Sequence, residues 1–287
     1  MTGRITKEEV LSLIPKRRDN SSKYDYGRLL AVCGSAYYRG AAYLSVAGAL
    51  RCGVGIATLC SIERVAAAVA PNLPECTFLP LTESENGTVS PTEVHRILER
   101  ARRADTLLMG CGLAIDDGTR ALVRSIVAGA ECRLVLDADA LNVLSESPEL
   151  IKGAKKPPVI TPHAGEMARL CKKTRKEVED APIVTALRFA EEYGCTVVLK
   201  GHITYIASPD GRLAVNDETG NPGLARGGSG DVLAGMIAGL CARGLDPFDG
   251  AKCGVYLHGE AADRCAERLS GETMLPSDIL TDLCGLI

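Results

Sequence analysis

Short apolar runs of strand length recur along this chain, and most are followed by a stretch with helical spacing. That alternation limits the fold more than any other feature. "GRLLAVCG" at 27–34 leads into "GAAYLSVAGALRCG", a small-residue helix closed by Gly53. "VGIATLC" leads into "SIERVAAAVA". A helix from Pro91 to Arg102 precedes the strand "ADTLLMG", and the helix "GTRALVRSIVAG" follows it. "CRLVLDAD" and the short "PPVITP" come next, then the helices "GEMARLC" and "PIVTALRFAEEYG" and the strand "TVVLKG". "ITYIASPDGRLAVN" reads as a hairpin turning at Pro209-Asp210-Gly211. The chain ends in helices: "GSGDVLAGMIAGLCARG", "DGAKCGVYLHGEAADRCAERL" and "PSDILTDLCGL". At the front, Thr6 and Glu9 resemble a capping box that starts "KEEVLSLI", which Pro15 stops. The strand runs do not alternate strictly between apolar and polar. That pattern suits a mostly parallel sheet with helices on both faces. No linker divides the chain, so the expectation is one three-layer α/β domain over residues 1–287.

Composition narrows the function. Apolar residues make up 46% of 287, with no Trp and three Phe, so the core must be aliphatic. A net charge of -3 argues against a protein that wraps nucleic acid. The basic runs Lys16–Arg18 and Lys172–Lys176 read as solvated surface. Twelve Cys without any C-x-x-C read as buried free thiols in a reducing, cytoplasmic setting. The first ten residues lack the apolar core of a signal peptide, and no stretch reaches the ~18 clean apolar residues of a membrane span.

In an open parallel sheet, ligands sit beyond the carboxyl ends of the strands. Ser35, Gly112, Asp137, Asp139, His163 and Lys200 all follow strands, which makes one cleft the expectation. The run Gly227-Gly228-Ser229-Gly230 precedes an apolar helix, so its free N–H groups and the helix dipole can hold phosphate. Asp231 then reads either as an N-terminal helix residue favoured by the dipole or as a base that takes a proton from an alcohol attacking a terminal phosphoryl group. Its place at a helix start should keep its pKa low and the group ionised. The run is not a Walker A loop, because no GxxxxGK[ST] exists. "CGSAYYRGAA" is not a dinucleotide fingerprint either. His163 is either a satisfied junction residue or a substrate hydrogen-bonding group. Glu166 either caps the helix "EMARL" or places a magnesium-bound water. Asp137 and Asp139, with Asn142 beyond, are turn and cap residues or orient hydrated magnesium or a substrate hydroxyl. Lys200 suits a nucleotide phosphate; His202 and Thr204 are weaker candidates. His95 reads as surface, and His258 as structural or functional alike. With no HExxH or Cys/His cluster, a zinc site is not expected.

Together, "GAAYLSVAGALRCGVG", "VLDADALNVL", "VITPHAGEMARL", "VVLKGHIT", "NDETGNPGLARGGSGDVLAGMIAGL" and "GVYLHG" resemble the ADP- or ATP-dependent (S)-NAD(P)H-hydrate dehydratases, a ribokinase-like family. The resemblance runs from residue 23 to residue 263. It implies repair of hydrated NADH and NADPH: the ring hydroxyl is phosphorylated, phosphate leaves, and the reduced nicotinamide is regenerated. ADP is the implied co-substrate, giving AMP and phosphate, with ATP the alternative and Mg2+ the implied cofactor without direct side-chain ligands. By motif, Ala41, Gly112, His163 and Asp231 are implied for the hydrated substrate. Lys200, Gly201, His202, Ile203 and Thr204 are implied for the nucleotide, with Gly227, Gly228, Ser229 and Gly230. Asn216 and Asn221 flank the approach. A homotetramer is implied, as is a separate epimerase for the R epimer.

The sequence departs from the family pattern in its turns. The usual GPG is Gly110-Cys111-Gly112, the usual HKGDYG is "SKYDYG", the turn after the first apolar strand is Cys33-Gly34-Ser35, and the proline of TPHPGE is Ala164. Two rivals remain: a small-alcohol kinase on the same fold, and a nucleotide-sensing protein without turnover.

Overall fold

The computed structural model describes residues 2–287. Ten strands form one sheet. They are β1 (Thr2–Arg4), β2 (Arg28–Val32), β3 (Ile56–Ile62), β4 (Thr77–Leu81), β5 (Thr106–Met109), β6 (Arg133–Leu136), β7 (Val159–Ile160), β8 (Thr196–Leu199), β9 (Thr204–Ala207) and β10 (Leu213–Asn216). Their order is β1-β10-β9-β8-β7-β6-β5-β2-β3-β4. From β8 across to β4 every neighbouring pair is parallel, and only β9 runs against its neighbours. The central runs carry their apolar side chains into the core on both faces: Leu29 to Val32, Leu107 to Met109 and Leu134 to Leu136 are all buried. This is why they lack polar alternation.

The expected hairpin is present, with Gly211 N–H donating to the Ser208 carbonyl across the turn. Two strands carry no clear sequence signal. β1 is three residues long and is held by parallel pairing to β10. β4 contains Pro80, which reads against a strand, yet β4 lies at the sheet edge, where a missing N–H is tolerated. The basic run ends in a short helix, Arg175–Asp180, capped by Thr174.

Small residues bring two helices close. Gly48 in the helix Arg39–Arg51 lies against Val232, and Gly235 and Gly239 in the helix Ser229–Ala242 lie against Ser45 and Ala49. A Cβ at Gly235 would overlap the Ser45 carbonyl oxygen. This contact fixes the Ser229 helix on the sheet, so its first turn lies beyond the strands' carboxyl ends. Both β3 and β4 lie on one side of β2, and β5 returns to its other side. The direction of winding therefore switches between β2 and β5, where such sheets open a crevice.

Candidate active site

The helix Ser229–Ala242 starts at Gly228, which has φ 102° and no side chain to cap the first turn. A Cβ at Gly228 would press on Leu44 at 2.7 Å. The backbone thus requires glycine, while the end of the Leu44 side chain would have to shift for any Cβ. Ser229 N–H donates back to the Arg226 carbonyl, and the next N–H groups, of Gly230 and Asp231, are left for a ligand.

These residues line a cleft of about 720 Å³. It brings together Asp137, His163, Glu166, Lys200, Gly201, His202, Thr204, Asn216, Asn221, the 227–231 run and His258. Ile203 lines an adjoining cavity with His163, Gly201 and His202. Ala41 and Gly112 lie elsewhere: a Cβ at Gly112 would meet the Ala41 Cβ at 2.7 Å. They pack together on the side of the Arg39–Arg51 helix, which also carries Leu44 to Gly228. The Asp231 carboxylate reaches toward that side, within 4.8 Å of the Cys111 thiol next to Gly112. Asp139 and Asn142 stay out of the cleft. Asp139 accepts from Ala114 N–H at 2.9 Å and braces the 110–114 turn, while Asn142 accepts from Arg169.

Lys200 is the more buried of two cations lining the cleft, with Arg226, and already has a partner. Its Nζ donates to Asp137 Oδ1 at 2.8 Å, and Thr161 Oγ1 donates to the same oxygen at 2.7 Å. Burial pulls the Lys200 pKa down, but Asp137 and Glu166 outweigh it and raise it, so the ammonium stays charged. Its Nζ lies beside the helix start, where a Cβ at Gly230 would sit in ordinary contact with it at 3.4 Å.

The expected low pKa of Asp231 is overturned. Burial and the Asp137 carboxylate push it up to about 6, against the lowering effects of Cys111 and Lys200. Desolvation and a like charge outweigh the helix dipole, whose effect is a fraction of a unit to about one unit. Near neutral pH the group is still mostly ionised, and a base poised there is well matched to proton abstraction.

His163 is both a junction residue and part of the cleft. It N-caps the helix Ala164–Cys171, with Nδ1 accepting from Gly165 and Glu166 N–H, and its ring is half exposed. Burial and then Lys200 and Arg169 lower its pKa, so the imidazole is neutral. Glu166 completes the capping box by accepting from His163 N–H at 2.9 Å. Its buried carboxyl is raised to about 7 by desolvation, which Lys200 only partly offsets. Asn221 is also structural: it accepts from Gly223 N–H and donates to Asp263. Asn216 donates to the Thr219 carbonyl. Sequence reasoning missed two groups. Arg226 lines the cleft one residue before the glycines, and its position in the chain could have flagged it. The Cys111 thiol, within 4.8 Å of both Asp137 and Asp231, gave no such signal.

A mostly parallel sheet with a glycine-rich helix start beyond its carboxyl ends and a carboxylate at the helix's third position is a ribokinase-like α/β fold. The likeness to hydroxyethylthiazole kinase from Pyrococcus horikoshii, at 17% identity and TM-score 0.59, supports the fold alone. The chain belongs to the NAD(P)H-hydrate dehydratase family, whose model matches residues 29–284. It is 39% identical over 291 residues to the ADP-dependent (S)-NAD(P)H-hydrate dehydratase of Xanthomonas campestris, covering 100% of this chain and 98% of that one. It is similar to the crystal structure of the ADP/ATP-dependent NAD(P)H-hydrate dehydratase from Bacillus subtilis, co-crystallised with ATP and Mg2+. That match has TM-score 0.83 and 31% identity, covering 99% and 97% of the two chains. It is also 39% identical over 269 residues to the bifunctional NAD(P)H-hydrate repair enzyme of Moorella thermoacetica, covering 94% of this chain. The chain spans about half the length of the bifunctional relatives it matches.

Proposed function

We propose that this chain dehydrates (6S)-NADHX and (6S)-NADPHX to NADH and NADPH, using ADP and releasing AMP and phosphate. Residues 1–287 act as one dehydratase domain in this reading. The observation that carries it is Asp231 at the junction of two regions. On one side are the helix start, Lys200 and the cleft; on the other are Ala41 and Gly112. The nucleotide occupies the cleft, with its terminal phosphate at the N–H groups of Gly230 and Asp231 and its segment contacts at Lys200 to Thr204. The hydrated nicotinamide lies toward Ala41 and Gly112, with His163 donating a hydrogen bond from the phosphate side.

Asp231 takes the proton of the ring hydroxyl as its oxygen attacks the terminal phosphorus, and AMP leaves. The phosphate ester then eliminates: the C–O bond breaks, phosphate carries off the electron pair, and a ring proton is lost. Hydroxide is a poor leaving group and phosphate a good one, which is why the nucleotide is consumed. Lys200 neutralises charge on the transferring group.

Magnesium fits as a phosphate-bound ion reached through water. Asp137 Oδ1 is committed to Lys200 and Thr161, and Glu166 Oε2 to His163 N–H, which leaves each carboxylate one oxygen that would reach the ion through water. When bound, the ion would screen the phosphate charge. Glu166 Oε1 and Asp137 Oδ2 are the oxygens left to orient its water.

Twelve free cysteines, ten of them buried, support a reducing, cytoplasmic setting. Among the described residues no helix is long and apolar enough to cross a membrane. Exposed Tyr37, Tyr38 and Ile115 supply an apolar surface for self-association into the homotetramer of this reading, which light scattering measures. The double-length bifunctional relatives support a second activity, here a separate epimerase that supplies the S epimer.

The test is recovery of reduced-nicotinamide absorbance from NADHX with magnesium and either ADP or ATP. ADP is expected to be the better donor. No recovery with either nucleotide refutes the reading, and a stable phosphorylated product assigns the chain to the kinases instead.

A further inference from the structure

The turn Gly110-Cys111-Gly112 sets a thiol against the candidate base. Cys111 is fully buried, and its Sγ lies within 4.8 Å of a carboxylate oxygen of Asp231 and of Asp137. The turn is tightly held. Gly110 and Gly112 have φ 128° and 65°. A Cβ at Gly110 would overlap the Asp137 carbonyl oxygen, and one at Gly112 would press on Tyr38 and Ala41. The Cys111 carbonyl accepts from Gly34 N–H at 2.8 Å, tying the turn to the end of β2. The turn thus holds the Cys111 backbone beside Asp231 and Asp137, with the Cys33 thiol as the other neighbour of its Sγ.

Its chemistry is also restricted. A hydrogen bond between the Cys33 and Cys111 thiols, burial, and then the Asp231 and Asp137 carboxylates push the Cys111 pKa well above its ordinary value. Near neutral pH it is an S–H group, and beside a carboxylate an S–H group donates. We propose that Cys111 is a positioning residue for the base: its S–H donates to the Asp231 carboxylate and leaves the second oxygen for the substrate hydroxyl. The kinetic part of this proposal rests on the dehydratase reading; the hydrogen bond does not.

Asp231 is faced by charged and titratable groups from several elements. Asp137 comes from the end of β6, Asp139 from the helix after it, Lys200 from the end of β8 and Cys111 from the end of β5. Glu166 and His258 line the same cleft from the helices Ala164–Cys171 and Pro247–Leu269. Asp137 and Asp139 work against ionisation of Asp231, while Lys200 and the thiol favour it. Removing only the thiol should therefore shift Asp231 upward and leave the other groups in place.

The test compares Cys111→Ala and Cys111→Ser. In Cys111→Ala the acidic limb of the kcat/KM profile should move up by about half a pH unit, a modest hydrogen bond's effect on one ionisation. Activity on that limb should drop about threefold, with little change on the plateau and KM for ADP within about twofold of the parent. A hydroxyl is the stronger donor, so the Cys111→Ser limb should stay in place or move down. Coincident limbs in the parent and Cys111→Ala, or an upward shift in Cys111→Ser, overturn the proposal. So does an equal loss in both variants at every pH, which marks packing alone.

A second measurement needs no turnover. With aspartate labelled at the side-chain carboxyl carbon, the Asp231 carboxyl NMR signal is the one missing from Asp231→Asn. Its midpoint should lie about half a unit higher in Cys111→Ala than in the parent, and equal midpoints refute the hydrogen bond whether or not the chain is a dehydratase.

Discussion

Replacing Lys200 by Met tests the electrostatic frame of the site. The Lys200 side chain is 19% exposed and that of Asp137 is 2% exposed, so the 2.8 Å pair is largely out of water. Met preserves the length of the side chain and removes only the ammonium. Asp137 Oδ1 would then keep only the Thr161 hydroxyl, with Asp231 still close by. Breaking a buried pair by deleting one partner costs about 3–5 kcal/mol, because the other charge stays buried without compensation. At about 2 °C or slightly more per kcal/mol for a chain of this size, Tm should fall by roughly 6–10 °C. Neutralising the stranded carboxylate as well should recover much of the loss. Lys200→Met with Asp137→Asn should be less destabilised than the sum of the two single variants by about 2–3 kcal/mol. The loss in Lys200→Met should also shrink as acid neutralises the carboxylates of the cluster. The assay is urea unfolding of the nucleotide-free protein at neutral pH and at pH near 5. A loss under about 1 kcal/mol, or strict additivity in the double variant, refutes the view that the pair holds the site together.

Asp231→Asn should keep ADP affinity within about twofold in calorimetry and lose about 10²–10⁴ in kcat, the range for a general base; substantial remaining turnover would remove Asp231 from that role. In the parent, kcat/KM should fall as pH drops through about 6, because the ionised form is the base. The stability effect has the opposite sign. Asp231 and Glu166 have raised pKa values in the folded state, to about 6 and about 7, so the folded chain holds their protons more tightly than the unfolded chain. The Tm contribution of these two groups is present at low pH and is lost as pH rises through that window. Asp231→Asn should thus be more stable than the parent at pH 7.5, by about 1–2 kcal/mol after allowing for solvent screening, and equal or lower stability counts against the raised pKa. Gly235→Ala should lower stability by roughly 2–4 kcal/mol, since its Cβ meets the Ser45 carbonyl; a change under about 0.5 kcal/mol in thermal unfolding would show that the two helices are not closely packed. A thiol reagent should titrate Cys284 rapidly in the native protein and all twelve cysteines after denaturation; several more fast native thiols would contradict the buried assignment.

What the sequence determined by itself was local and periodic. Apolar runs such as "LLAVC" and "RLVL" are strands buried on both faces, because a chain without polar alternation has no face to offer water. The glycine run before "VLAGMIAGL" marked an uncapped helix start, because glycine readily accepts the φ at Gly228. The edge strands were not legible: β1 is too short to carry a pattern, and Pro80 in β4 reads as a breaker until the sheet places it at an edge. The meeting of side chains was decided by tertiary structure alone. Asp137 and Lys200 are 63 residues apart and become one ion pair only because β6, β7 and β8 lie side by side. The same folding put Asp231 against Asp137 and out of water, and so reversed the pKa expected from its helix. Local geometry gives a residue its dipole and its cap, but desolvation and long-range charge come from neighbours that the sequence does not reveal.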